Sequence, residues 1–424
     1  MKAMKKYIIA VFVLALCSSC ANQLEQFSFL AISPDAVDIR DVPAVRNGMY
    51  NSVQNKPTVR SFILFDMLGG TIQSNTGTSR DLINATLSPL NSTIGSSWDG
   101  YFSALYQVNN MLDIANRFPE AELASLSKGE AHYFRAYIYF CLVTRWGDVP
   151  ILRNNTLERV SRDPINAVWA FIEEELDVAA TLLEAASSYY YVSRDAAIAL
   201  KARVLLSQGK KQQAADLAES LITGGAYRLD AFERIFRSTG NTEIIFAFEN
   251  RTEESSINIS DLFYTYGHPN RGQGAYKPTP ETIALFADGD NRRAISLVNI
   301  AGTECINKYP SGQTGRDPVV VSRIAEMYLI SAEAQGRSLG VGRLNELRRF
   351  RGLGDIFPAN DEDYLTAILT ERKRELLGEN FMYHDLVRTG RAQEELHLLN
   401  HQHVLPIPGR ELQLNPNLVP NPGY

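Results

Sequence analysis

The chain has 424 residues, of which 45% are hydrophobic, so it can bury a large core. A formal net charge of −6 and a sequence pI near 5.7 argue against a surface for nucleic acid or for anionic lipid. Because there are 19 tyrosines and 19 phenylalanines but only 3 tryptophans, tyrosine would have to supply most of the exposed stacking surface in a sugar site.

The first 20 residues are typical of a processing segment. Lysines at positions 2, 5 and 6 precede an apolar run, from Tyr7 to Cys17, that is shorter than the roughly 20 residues needed to span a bilayer. Two serines then lead into Cys20. This pattern is similar to a bacterial lipoprotein signal, so we expect residues 1–19 to be removed and Cys20 to be acylated. Cys17 stands where that signal usually has leucine, and ordinary secretory cleavage near the same place is the alternative.

Helical periodicity dominates the next part of the chain. Apolar side chains recur at helical spacing over residues 98–117 and 129–145. A third helix is predicted to begin at Asp163-Pro164, where a capping residue is followed by proline at the first helical position. A pair of helices is then predicted at 194–207 and 211–222.

Small residues recur along that pair and would let the two helices approach closely: Ala197, Ala202, Ala214 and Ala218. Paired helices of this kind resemble tetratricopeptide repeats, although no strict period of about 34 residues is visible. The predicted fold is therefore mainly all-α, a tetratricopeptide-like helical repeat scaffold with a few short strands.

The helical rhythm is interrupted between residues 226 and 320. A strand is predicted at 242–248, and the segment from Phe263 to Pro280 is dense in Gly, Asn, Tyr and Pro. Helical patterns return at 320–336, 342–350, 361–377 and 381–388. The end of the chain, 405–424, carries five prolines and is predicted to lack regular helix. A second long irregular stretch is predicted from Gly69 to Ser97, and such loops on a helical scaffold are natural places for a binding site.

Several sequence blocks resemble, in order, those of the SusD/RagB family. The clearest is Gly129-Glu130-Ala131-His132-Tyr133-Phe134-Arg135-Ala136-Tyr137, followed by Trp146-Gly147-Asp148-Val149-Pro150. The later blocks are Ala196 to Leu206, Arg323 with Glu326, Ala332 and Glu333, Leu344 to Leu353, Glu371-Arg372 with Arg374-Glu375-Leu376, Asp385 to Arg388, and the proline-rich end from Leu405 to Tyr424.

The resemblance implies a helical repeat scaffold with a loop-rich ligand-binding face, and one domain over residues 20–424. The scaffold would occupy about 98–225 and 320–390, and the ligand-face loops about 66–97 and 250–310. It also implies a lipid-anchored protein on the surface of the outer membrane, partnered by a TonB-dependent barrel transporter. Many members of the family bind oligosaccharides and others bind peptides. We expect a non-catalytic lipoprotein that captures oligosaccharide for the transporter, without a cofactor, and peptide binding is the alternative.

A surface glycan hydrolase is the rival from a different class. Glu371 and Glu375 lie four residues apart, and two carboxylates on one helical face could form a glycosidase pair. The basic residues around them would instead hold both acids ionised, whereas a general acid needs a raised pKa. We therefore predict a structural arginine–carboxylate network and no catalytic residue. A purely structural surface protein without a small ligand is the third possibility.

Two polar clusters have residue types found in metal sites. His401 and His403 are close in sequence, but no carboxylate or cysteine accompanies them at the spacing of a metal site. Asp288 and Asp290 lack the spacing of a calcium loop, and Asp290 with Arg292 is predicted to set a structural turn. No metal site is predicted.

The candidates for ligand contact lie in the two irregular segments, because sugar recognition needs aromatic faces and hydrogen-bonding groups. The loop at 66–97 contributes Asp66, Asn75 and Arg80, and the loop at 263–280 contributes Tyr264, Tyr266, His268 and Tyr276. The alternative for each tyrosine is that it packs its loop onto the scaffold. The tryptophans at 98, 146 and 169 are predicted to pack within the scaffold. Cys141 and Cys305 suit buried positions, and a disulfide between them is left open.

Overall fold

The computed structural model describes residues 37–237 and 240–424, so Cys20 and the predicted signal at 1–19 lie outside the described residues. The helices are α1 Val42–Asn55, α2 Leu64–Leu68, α3 Arg80–Ile83, α4 Ser92–Arg117, α5 Glu122–Trp146, α6 Ile165–Leu182, α7 Arg194–Ser207, α8 Lys211–Thr223, α9 Phe232–Arg237, α10 Ile259–Phe263, α11 Pro280–Ala284, α12 Arg293–Ser296, α13 Ile324–Phe350, α14 Asp361–Glu375, α15 Met382–Arg388, α16 Ala392–Leu396 and α17 Gly409–Leu414.

The strands are short and pair in twos. They are β1 Ile72–Ser74, β2 Ile244–Phe248, β3 Tyr276–Pro278, β4 Leu297–Ile300, β5 Thr303–Ile306 and β6 Val319–Arg323. β1 pairs with β3, β2 with β6, and β4 with β5, and each pair is antiparallel. The prediction of a mainly helical fold with few short strands is confirmed.

The long helices form a repeat scaffold in which each packs on its neighbour in sequence. α4 packs against α5, α5 against α6, α6 against α7 and α7 against α8. α8 then packs against α13, the next long helix, and α13 against α14. Side-chain caps help to fix where these helices begin. The Asn91 carboxamide accepts hydrogen bonds from two backbone N–H groups of α4, and the Ser193 hydroxyl caps α7 in the same way.

Small residues set the close contacts of the scaffold. All four alanines of the predicted helical pair are completely buried. In α13 a Cβ added at Gly340 would overlap the Ala332 carbonyl oxygen, so only glycine allows the two parts of this helix to approach. The helix breaks between them at Gly336, whose φ of 69° lies in the left-handed region. The predicted division of this region into two helices is therefore confirmed.

Four sequence predictions about local structure were wrong. Residues 319–323 are strand β6, which begins with three β-branched valines and pairs with β2, and α13 begins only at Ile324. The stretch 69–97 contains β1, α3 and the first turns of α4. The proline-rich end includes the short helix α17. Asp163 does not cap α6, since its carboxylate accepts from the Ile151 N–H while that of Asp148 accepts from Ile165.

The core is aromatic around the tryptophans. Trp98 and Trp146 are buried with their ring centroids 5.1 Å apart, and the Trp146 indole donates to the Pro406 carbonyl. Cys141 and Cys305 are buried and free of a disulfide. Among residues 37–237 and 240–424, no helix is long and apolar enough to cross a membrane, and no group of His, Cys, Asp or Glu could hold a metal ion.

Candidate ligand-binding site

The two segments that sequence reasoning selected as ligand-face loops meet in a small antiparallel sheet. β1 pairs with β3 so that Ser74 lies opposite Tyr276. Beyond the last pair, the Asn75 N–H donates to the Ala275 carbonyl at 2.8 Å, and the Asn75 carboxamide donates to the Gly274 carbonyl at 3.0 Å. We call the combined surface of residues 72–80 and 264–278 the paired-loop surface.

Glycines allow the second loop to fold back on itself. A Cβ added at Gly272 would overlap the Tyr264 carbonyl oxygen. Gly274 has a φ of +58°, and a Cβ there would come within 3.2 Å of the Thr265 Cα. Gly274 therefore lies between Asn75 of the first loop and Thr265, the residue that precedes Tyr266.

Tyr266 is the exposed aromatic residue of the paired-loop surface. Its side chain is 71% exposed, unusually high for such a large apolar group. The Arg271 guanidinium lies over the ring, 4.9 Å from its centroid, and Arg271 Nη1 donates to the Tyr266 hydroxyl at 3.1 Å. Arg271 thereby fixes the orientation of the ring, and one face remains open for stacking on a ligand.

Two further predicted residues present polar groups on the same surface. Asn75 is exposed, and its carboxamide oxygen accepts no hydrogen bond within the described part of the chain. Arg80 is exposed, and none of the described residues forms an ion pair or hydrogen bond with its guanidinium. Both groups are therefore available to ligand hydroxyls or to an acidic substituent.

Tyr264 and Tyr276 support the surface from beneath. Both are buried, so they pack their loop onto the scaffold, which was the alternative to ligand contact for each tyrosine. The Tyr264 hydroxyl donates to Asn307 at 2.6 Å, and burial raises the pKa of Tyr264 to about 12. The Tyr276 hydroxyl accepts from Arg60 Nε at 3.1 Å and lies 2.8 Å from the Ser79 hydroxyl, which ties the two loops together.

His268 is half-buried and stacks on Tyr264, with the ring centroids 3.8 Å apart. Its Nδ1 accepts from the Asn270 N–H at 3.0 Å, so the ring holds the turn that precedes Arg271. Partial burial lowers the pKa of His268, which favours the neutral ring that this hydrogen bond requires.

Asp66 does not reach the paired-loop surface. It lies in α2, almost completely buried, and its carboxylate accepts from the N–H groups of Gly378 and Asn380 at 2.9 and 2.8 Å. The Thr71 hydroxyl is a third donor at 3.0 Å. Burial raises the pKa of Asp66 to about 6 against the opposing effect of these hydrogen bonds. Asp66 therefore joins α2 to the turn after α14.

The Glu371–Glu375 pair lies inside an arginine network, as the structural interpretation predicts. Both carboxylates are fully buried, and Arg292 Nη1 lies 2.7 Å from Glu371 and 2.8 Å from Glu375. Glu375 also pairs with Arg323 at 2.6 Å and Arg351 at 2.8 Å. Burial opposes ionisation, but these guanidinium groups hold the pKa of Glu375 well below its usual range. The arrangement suits permanent ion pairing, whereas a glycosidase acid needs a raised pKa and access to substrate.

Two family profiles match this chain. Residues 29–206 match one described as starch-binding associating with outer membrane, and residues 305–404 match one described as SusD family. The curated SusD-like protein P2 of Formosa agariphila is 26% identical, over 99% of this chain and 100% of the relative.

Solved structures have the same fold. A SusD superfamily protein from Bacteroides vulgatus superposes with a TM-score of 0.82 at 20% identity, covering 91% of this chain and 99% of its own. A laminarin-binding SusD-like protein superposes with a TM-score of 0.75 at 23% identity, covering 91% of this chain and 99% of its own.

Proposed function

Because this chain belongs to the SusD/RagB family, we propose that it is a lipid-anchored surface protein of the outer membrane that binds an oligosaccharide and delivers it to a TonB-dependent transporter. Glycan binding is the function that the family supports most directly. The family description names starch and outer-membrane association, and one structural relative is named for laminarin binding. The lipid anchor, the transporter and the particular oligosaccharide belong to the proposal.

The observation that carries the proposal is the paired-loop surface. It combines an exposed tyrosine ring, fixed by a guanidinium, with a carboxamide and a second guanidinium that have hydrogen-bonding capacity to spare. Sugar rings present C–H faces that stack on aromatic rings and hydroxyl groups that pair with amides and arginine. Tyr266, Arg271, Asn75 and Arg80 are the residues that we assign to ligand contact.

The position of the acids supports binding without turnover. Glu371 and Glu375 are fully buried in ion pairs with arginine, so a glycan on the surface would not reach them. Asp66 is buried in hydrogen bonds to the backbone. The paired-loop surface itself offers amide, guanidinium and phenol groups, which bind hydroxyls but form no pair of carboxylic acids for glycoside hydrolysis.

Delivery to a transporter requires attachment to the membrane, for which we propose acylation at Cys20 and removal of residues 1–19. Acyl chains anchor a protein stably when several act together.

Calorimetric titration of the soluble protein, starting after Cys20, tests the proposed function. Suitable probes are maltohexaose, laminarihexaose and a tryptic digest of casein, since they sample starch, laminarin and peptide. We expect heat of binding with a hexasaccharide, an unchanged hexasaccharide in the mass spectrum after prolonged incubation, and no heat with the peptides. Binding to peptides alone would replace glycan by peptide as the ligand class, and release of shorter sugars would contradict the non-catalytic role.

A further inference from the structure

A second concave surface lies outside the paired loops. It is formed by α1, the turn at residues 189–191 and the segment 248–255, with Gln107 of α4 at one end, and it encloses about 680 Å³. That volume is in the range of small-molecule sites, which is roughly 300–1,000 Å³. We call this surface the α1 groove.

The wall formed by residues 250–256 is fastened to α1 by side-chain hydrogen bonds. The Asn51 carboxamide donates to the Glu254 carbonyl at 3.1 Å. The Asn55 carboxamide oxygen accepts from the Ser255 hydroxyl at 2.8 Å and from the Ser256 N–H at 3.0 Å. These bonds hold the two walls together without a ligand, so the groove is already formed.

An aromatic platform is built into the groove. Tyr191 is 37% exposed, and the Arg46 guanidinium lies 4.7 Å from its ring centroid. Arg46 is itself fixed, since two of its nitrogens contact the buried carboxylate of Glu130 at 2.6 and 2.5 Å. Tyr50 donates to the same carboxylate at 2.7 Å. The Tyr191 ring therefore has a rigid polar support and an exposed surface, as a sugar-stacking residue requires.

Carboxamides with spare hydrogen-bonding capacity line the groove beside this platform. Within the described ranges, the side chains of Asn47 and Gln107 form no hydrogen bond, and both line the groove. Each carries two N–H donors and a carbonyl acceptor, the combination that adjacent sugar hydroxyls satisfy.

The lining also identifies the ligand class. None of the described side chains that line the α1 groove is aliphatic, and its apolar surface comes from aromatic rings, which stack on sugar rings. Its charged groups balance, because Lys56 and Arg251 face Glu249 and Glu254. Arg251 pairs with Glu249 at 2.9 Å and lies 3.7 Å from Glu254. A neutral, hydroxyl-rich molecule fits this chemistry better than a peptide or an acidic polymer.

A second cavity of about 710 Å³ adjoins the groove. Lys56 and Gln107 line both cavities, and the second contains Tyr106, which is 49% exposed. Exposed tyrosines thus occur in two adjoining cavities, an arrangement that suits a chain of several sugar rings.

We propose that the α1 groove is a second carbohydrate-binding site, separate from the paired-loop surface, that binds a neutral oligosaccharide on Tyr191 and the carboxamides of Asn47 and Gln107. The proposal rests on the proposed function only for the class of ligand. A second site would let one protein hold a long glycan at two points, which raises avidity without new contacts at either.

Gly48 provides a steric test. It lies on α1 and lines the groove, and an added Cβ there meets no atom within 4 Å. In Gly48→Trp the indole side chain would fill the groove, and the helix tolerates it. Gly48→Ala is the matched control, because it adds only a methyl group. Both are made in a chain carrying Tyr266→Ala, so that binding at the paired-loop surface is weakened. The probes are maltohexaose, laminarihexaose and mannohexaose in calorimetry, with the melting temperature as a check on folding.

We expect Tyr266→Ala to retain binding of at least one probe, Gly48→Ala to leave it unchanged, and Gly48→Trp to weaken it about tenfold or more. Tyr191→Ala should weaken it similarly and serves as the second variant if Gly48→Trp does not fold. Absence of binding in the Tyr266→Ala chain, when the wild-type chain binds, would overturn the second site alone. Equal affinities of the two Gly48 variants would also overturn it. Absence of binding in the wild-type chain as well would count against both proposals.

Discussion

Arg323 Nη1 lies 2.6 Å from the Glu375 carboxylate, and both side chains are almost fully removed from water. Glu375 also forms ion pairs with Arg292 and Arg351. One carboxylate from α14 therefore joins the N-terminal end of α12, the end of β6 and the end of α13. Removal of one partner from such a network is strongly destabilising, because the remaining charges stay buried without compensation.

Glu375→Gln is therefore expected to lower the free energy of unfolding by about 3–5 kcal/mol. Glu184→Gln removes an acid that pairs with Arg194 at 2.9 Å but is 80% exposed, and it should cost less than about 1 kcal/mol. Urea unfolding of the two variants measures both values. Similar midpoints for the two variants would contradict a structural role for the buried network.

His384 should make the protein sensitive to acid. Burial, together with the nearby guanidinium groups of Arg388, Arg372 and Arg145, lowers its pKa from 6.5 to about 3. Below pH 6.5 the unfolded chain binds a proton that the folded chain does not, so stability falls as the pH drops from about 6.5 towards 3. Between pH 7 and pH 5 this group alone should remove about 2 kcal/mol.

Urea unfolding at pH 7 and pH 5 measures that loss. His384→Gln should reduce the difference between the two pH values, while His397→Asn, at an exposed position, should leave it as in the wild-type chain. An unchanged pH dependence in His384→Gln would assign the acid sensitivity to other groups.

Two glycines of α13 should respond in opposite directions to alanine. At Gly342 an added Cβ meets no atom within 4 Å, so Gly342→Ala should stabilise the helix by about 0.5–1 kcal/mol. At Gly340 the Cβ would overlap the Ala332 carbonyl and the Tyr364 hydroxyl, so Gly340→Ala should destabilise the protein by about 1–3 kcal/mol. Thermal unfolding of both variants tests the close approach on either side of Gly336, and a stabilised Gly340→Ala would contradict it.

On the proposed anchoring at Cys20, Cys20→Ser should release the protein from the membrane when it is expressed in a bacterium. The expected result is loss of fatty-acid labelling and movement of the protein from the detergent phase to the aqueous phase. Cys17→Ser is the matched control and should keep both properties. If the Cys17 variant loses the label instead, the acylated cysteine has been assigned wrongly.

The scaffold was readable from the sequence because its signals are local. Alanine spacing predicted the α7–α8 crossing. The basic residues near Glu371 and Glu375 in the sequence predicted ion pairing in place of catalysis. The division of α13 was visible as an interruption of the apolar pattern near Gly336. The alanine spacing and the break in α13 depend on residues close together in the chain, whereas the arginines that pair with Glu375 come from positions 292, 323 and 351.

The arrangement of the candidate site was less readable, because its contacts join distant segments. β1 has only three residues, too few for a strand pattern, and its partner lies about 200 positions later. Asp66 resembled a ligand residue because the N–H groups that satisfy it come from positions 378 and 380. Burial separates Tyr264 and Tyr276 from Tyr266, although all three look alike in sequence. The α1 groove was missed, and the run Tyr189-Tyr190-Tyr191 was the one signal that could have indicated it.

The most direct test of the account is the affinity of the paired-loop surface for glycan. Tyr266→Ala and Phe357→Ala are compared by calorimetry with the hexasaccharide that the wild-type chain binds, all in a Gly48→Trp background that removes the α1 groove. Phe357 is a suitable control because it is an aromatic residue that is 84% exposed but lies outside the paired loops. We predict that Tyr266→Ala lowers the affinity about tenfold or more while Phe357→Ala leaves it unchanged. Equal affinities in the two variants would contradict glycan binding at the paired-loop surface.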